Sequence, residues 1–96
     1  MLTHEKIAEA VAKTAMRFSL KKVSYFGSYA EGVATEESDL DILVEFFNPH
    51  VSLWTVEDFK NRLEEELNIS VDVVYEPLST LAISDVENII PVYEKA

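Results

Sequence analysis

The chain has 96 residues, no cysteine, and eight basic against eighteen acidic side chains for a formal charge of −10. That length suits a single domain over residues 1–96 with one core and no room for a second lobe. The missing cysteines exclude disulfides and thiolate zinc sites and fit a reducing cytoplasm. The negative charge disfavours nucleic acid and anionic membranes as direct ligands, and no apolar run approaches the roughly 20 residues that cross a bilayer.

Five of the eight bases (Lys6, Lys13, Arg17, Lys21 and Lys22) lie in the first 22 residues. A phosphate substrate entering so acidic a chain needs a divalent cation beside it, unless that basic stretch folds over the site.

Thr3 is placed to cap a helix running to about Phe18, with Ile7, Val11, Ala15 and Phe18 on one face. Lys22 to Phe26 is short, β-branched and aromatic, and predicts a strand that stops at Gly27. Gly27 and Gly32 are the only glycines. Between them a short helical turn over Ser28 to Val33 is expected, then a polar loop to Ser38. Asp39 to Phe47 opens on two acids and continues apolar on both alternating faces, as in a strand inside a covered sheet. Asn48-Pro49 ends it, and Ser52 caps a helix burying Val56, Phe59, Leu63 and Leu67. Ile69 to Tyr75 is another β-branched strand, interrupted by Asp72 and stopped at Pro77. Ser84 to Glu87 fits a capping box, and Pro91 to Glu94 a last strand or edge segment. The order predicts an α/β (α+β) fold, a small mixed sheet with helices packed on it.

Asp39 and Asp41 are two apart, so on a strand their carboxylates project from one face. Two acids held side by side at the end of an apolar strand are costly unless a cation neutralises them, and hard oxygen ligands favour magnesium, or manganese. Asp72 joins the pair if its strand is a neighbour, and three carboxylates could then share two ions. Such ions, about 3.5 to 4 Å apart, clamp the attacking and leaving oxygens of a displacement at phosphorus. The Gly27-Ser28 turn offers backbone N–H groups and a hydroxyl for a triphosphate. No Gly-Lys-Ser/Thr follows it, which disfavours a Walker-type ATPase.

The stretch from Gly27-Ser28 through ten residues to Asp39-Leu40-Asp41 resembles the signature of the DNA polymerase β-like nucleotidyltransferase superfamily. Within it the chain resembles the minimal nucleotidyltransferases, small proteins paired with HEPN-domain partners. The resemblance implies ATP as donor, two magnesium ions, and AMP transfer to a hydroxyl, often a tyrosine of a HEPN toxin in an antitoxin role. Carried over by position, Gly27 and Ser28 bind nucleotide, Asp39 and Asp41 bind metal, and Asp72 binds metal and helps deprotonate the acceptor. Tyr29 and Glu31 stand where family members often carry arginines. Glu31 is either harmless on the far side of its turn or a sign of weakened nucleotide binding. The alternatives are a module that neutralises a basic partner by contact and nucleotidyl transfer to a small molecule, against which the missing second domain argues. Self-association is also open, since a small sheet leaves edge strands to cover. His4 and His50 carry no expected role. Trp54 is expected in the core, and Glu64 to Glu66 on a solvated helix face.

Overall fold

Thr3 caps the first helix through its hydroxyl, which accepts the N–H of Lys6 at 3.2 Å in the computed structural model, where residues 2–47, 50–75 and 88–95 are described. This helix, α1 (His4–Ala15), buries Ile7, Ala10, Val11, Thr14 and Ala15. It stops short of Phe18 because tight bonds from the N–H groups of Arg17 and Phe18 to the carbonyls of Thr14 and Ala15 close its last turn. Phe18 still reaches the core, packing edge-on against Phe59 at 5.7 Å.

Strand β1 (Leu20–Phe26) leads through Gly27 into the single turn of α2 (Ser28–Glu31), and β2 (Leu40–Phe46) follows. Ser52 caps α3 (Leu53–Leu67), whose buried stripe is Val56, Phe59, Leu63 and Leu67, as its spacing predicts. The helix ends on Asn68 in the left-handed conformation, and β3 (Val71–Tyr75) and β4 (Ile89–Glu94) complete the sheet. The expected strand stops at Asn48-Pro49 and Pro77 and the capping box at Ser84 lie outside the described residues.

The strands lie in the order β3-β2-β1-β4. β1 pairs antiparallel with both β2 and β4, while β2 and β3 are parallel, with α3 forming the crossover. The sheet is therefore mixed. β4 is an edge strand, and its Pro91, lacking an N–H, is tolerated there beside a shift of register.

One face of the sheet carries Val23, Tyr25, Leu40, Ile42, Val44, Phe46 and Val71, which form the core with the buried residues of α1 and α3. The other face of β2 shows Asp41, Leu43 and Glu45, all partly exposed. This corrects the expectation of a strand covered on both faces. The two long helices, α1 and α3, sit on one side, and the apolar Leu43 is a half-buried residue of the other.

Trp54 also departs from expectation, being 85% exposed, with Leu53 beside it at 69%. Both stand in the first turn of α3, off the stripe that begins at Val56. His4, though exposed, pairs its Nδ1 with the Tyr25 hydroxyl at 3.0 Å and so ties α1 to β1. Among the described residues no helix is long and apolar enough to cross a membrane.

Candidate active site

Register across the sheet sets the site. Asp41 lies opposite Phe26 on one side and Asp72 on the other, so the three share a row on the face away from the helices. The strand adjacency that would bring Asp72 to the pair is therefore present. Asp41 is half-buried, while Asp72 and Asp39 are exposed. Asp39 falls just before β2 rather than on it, held by the turn that precedes it. In that turn the Ser38 hydroxyl accepts the N–H of Thr35 at 2.8 Å, and the N–H of Ser38 returns to the Thr35 carbonyl at 3.1 Å.

Gly27 closes the row from above. Its φ of 74° and ψ of −148° fall in a region open essentially to glycine alone. A Cβ placed there would run into Oδ2 of Asp41 and lie 3.2 Å from its Cγ. The glycine thus lets the backbone enter α2 directly against the carboxylate. The Gly27 carbonyl accepts the N–H of Glu31 at 3.0 Å, and the amides of Ser28, Tyr29 and Ala30, in the first turn, have no acceptor within the helix. Gly27, at the N-cap, has no side chain to cap the turn, and Ser28 is the first residue of that turn.

Burial pushes the Asp41 carboxyl above its ordinary range, and the charges of Asp72 and then Asp39 push it the same way. No cation among the described residues pairs with any of the three. Lys13 is engaged with Glu9 at 3.8 Å and Glu66 at 3.9 Å, and Lys21 with Glu45 at 3.4 Å. α1, which carries Lys6 and Lys13 alongside Glu5 and Glu9, lies on the opposite face of the sheet from Asp41 and does not fold over the acids.

Among the described residues no group of three His, Asp or Glu side chains is arranged to hold a metal ion by itself. Magnesium, however, is ordinarily held by one or two carboxylates with water and substrate phosphates completing the shell. A half-buried carboxyl crowded by two others, with no protein cation to relieve it, has the donor chemistry for such an ion. Asp41 with Asp39 or Asp72 would hold it.

Tyr29 packs partly buried against the core. Glu31 is exposed at the end of that turn, and the charges acting on Asp41 are those of Asp72 and Asp39. One residue escaped the sequence reading. Glu64, expected in solvent, accepts the N–H of Val71 at 2.9 Å, directly before Asp72.

A nucleotidyltransferase domain model matches residues 5–94. The chain belongs to this nucleotidyltransferase family. It is 37% identical to the protein adenylyltransferase MntA of Thermococcus cleftensis over 78 residues, 77% of this chain and 78% of that one. The aligned stretches span 58% and 65% of the length of two candidate adenylyltransferases of Methanocaldococcus jannaschii, at 38% and 41% identity. Two solved structures share the nucleotidyltransferase fold. One is a toxin-antitoxin complex with AMP-PNP, with a TM-score of 0.74 and 22% identity, covering 98% of this chain and 75% of that one. The other is the tri-AMPylated HEPN toxin of Shewanella oneidensis in complex with its MNT antitoxin, with a TM-score of 0.70 and 18% identity, covering 97% and 74%.

Proposed function

We propose that this chain transfers AMP from ATP to a hydroxyl of a partner protein, a tyrosine of a HEPN toxin, and acts as the antitoxin of the pair. The observation that carries the reading is Asp41 set opposite Asp72 beneath the Gly27 turn, crowded by like charge and without a protein cation. A relative bearing the adenylyltransferase name, and neighbours that are toxin-antitoxin complexes, one with AMP-PNP and one with an AMPylated HEPN toxin, support the partner and the donor.

In this reading the Gly27-Ser28 turn receives the triphosphate, its free amides and the Ser28 hydroxyl donating to phosphate oxygens. Asp39 and Asp41 would hold magnesium, two ions if Asp72 joins them as a third ligand, or manganese in its place. Such ions, when bound, would supply neutralisation of the charge that develops on the phosphates. The acceptor oxygen forms a bond to the α-phosphorus as the bond from that phosphorus to the β-phosphate bridging oxygen breaks, and pyrophosphate leaves. Asp72, exposed at the rim, takes the hydroxyl proton.

Titration of magnesium-ATP by calorimetry, wild type against Asp39→Asn, tests the site before any acceptor is present. Saturable, metal-dependent binding lost in the variant is expected. Incubation with the HEPN partner and labelled ATP then tests transfer, and absence of label on the partner under magnesium or manganese would sink the proposal. A contact-only antitoxin, the reading favoured by Tyr29 and Glu31 standing in place of arginines, instead predicts that Asp39→Ala with Asp41→Ala still neutralises the toxin.

A further inference from the structure

We propose that Glu64 is the positioning residue for Asp72, holding the edge strand β3 so that its carboxylate stays level with Asp41; this rests on the nucleotidyl-transfer reading above.

Among the described residues β3 is the last strand of the sheet on its side, and strand edges leave every second backbone group without a partner. Inside, the N–H of Leu40 reaches the carbonyl of Ser70 at 3.0 Å. Because the two ends of one peptide unit point to opposite sides of a strand, the Val71 N–H of that unit faces outward, away from β2. Val71 is only 1% exposed, so this outward N–H has no access to water. Left without a partner it would cost about 1 to 3 kcal/mol. Glu64 reaches down from α3 and accepts it through Oε2 at 2.9 Å. The Ser70-Val71 peptide is thereby pinned from both sides, immediately before Asp72.

The placement of Glu64 argues that this bond is purposeful. It lies in the last turn of α3, which holds three consecutive acids and no base, and a carboxylate at a helix C-terminus faces the negative end of the macrodipole. Glu65 meets this cost exposed to solvent and Glu66 beside Lys13 at 3.9 Å, whereas Glu64 is half-buried and recovers it by a charge-assisted bond to the strand. A parallel edge pair is otherwise the weaker kind of pairing, and here it also carries the repulsion between Asp41 and Asp72.

The test compares wild type with Glu64→Ala, Glu64→Gln and the exposed neighbour Glu65→Ala, measuring melting temperature, manganese affinity by electron paramagnetic resonance, and AMP transfer to the HEPN partner. Val71 amide exchange and the Asp72 carboxyl carbon shift are followed by NMR. Glu64→Ala is expected to expose the Val71 amide to exchange, shift the Asp72 carboxyl signal, and lose roughly 10- to 100-fold in metal affinity or turnover, as loss of outer-shell support typically does. Glu64→Gln, whose amide oxygen accepts the same N–H, should stay near wild type, as should Glu65→Ala. A Glu64→Ala protein that melts lower yet keeps its metal affinity and turnover overturns the proposal, and so does a Glu64→Gln protein as impaired as Glu64→Ala. If wild type transfers nothing, the functional reading falls by itself. The Val71 exchange and Asp72 shift, which need neither nucleotide nor acceptor, then still decide whether Glu64 positions the strand.

Discussion

Replacing each glycine by alanine separates backbone strain from the integrity of the site. Gly27 and Gly32 have nearly the same φ, 74° and 76°, so both variants force a side chain into a region that L-residues avoid. The cost is about 1 to 3 kcal/mol at the Gly27 conformation and about 1 to 2 kcal/mol for the left-handed Gly32. For a domain of this size each kcal/mol lowers the melting temperature by about 4 to 8 °C. The surroundings differ. A Cβ at Gly32 meets nothing within 4 Å, whereas one at Gly27 meets the Asp41 carboxylate. That carboxylate can yield only by turning away, and displacement of a ligand by about 1 Å can cost 10²-fold. Calorimetry with magnesium-ATP, at a temperature where circular dichroism shows both variants folded, should find Gly32→Ala near wild type. Gly27→Ala should be weaker by tenfold or more. Equal affinity of the two variants, in either direction, would refute the assignment of Gly27 to the site.

Asp41→Asn should stabilise the metal-free protein while abolishing metal-dependent binding. Carboxylates opposed across a strand pair at about 5.5 Å repel by roughly 1 kcal/mol in water and roughly 3 kcal/mol at an effective dielectric of 20, so thermal melts at neutral pH should rise by several degrees. Because the folded carboxyl lies above its unfolded value, its penalty is absent at low pH and grows as pH rises through the folded value. The gain from Asp41→Asn should follow that curve and vanish in acid. Phe59→Ala, at a fully buried position between α3 and the sheet, should cost about 3 to 5 kcal/mol in urea denaturation. Trp54→Phe should change stability by less than about 0.5 kcal/mol, and the Trp54 emission of the folded protein should be that of a solvated indole.

Much of this arrangement was legible because it is local. The caps at Thr3 and Ser52, the stripe from Val56 to Leu67, and the turn from Gly27 into Ser28 are all set by residues within a few positions of one another. The pairing of Asp41 with Asp72 was open because it depends on which strands become neighbours after the α3 crossover, and only the register places them opposite. Trp54 was misplaced because hydrophobicity near the start of α3 outweighed its phase relative to Val56. Glu64 was misread because its partner is a backbone N–H, which has no letter in the sequence. An acid opposing the end of its own helix was the available signal.

The crossover also fixes the order in which the site can come into being. Gly27, Asp39 and Asp41 belong to the antiparallel β1-β2 pair and its connection, which can form from the first half of the chain. Asp72 arrives only when α3 has folded back and β3 has docked. A chain still being synthesised past β2 therefore carries a turn and two acids but not the third, and its closing step joins residues far apart in sequence, the slower kind of contact. Competence would be acquired late, after the core beneath it is in place.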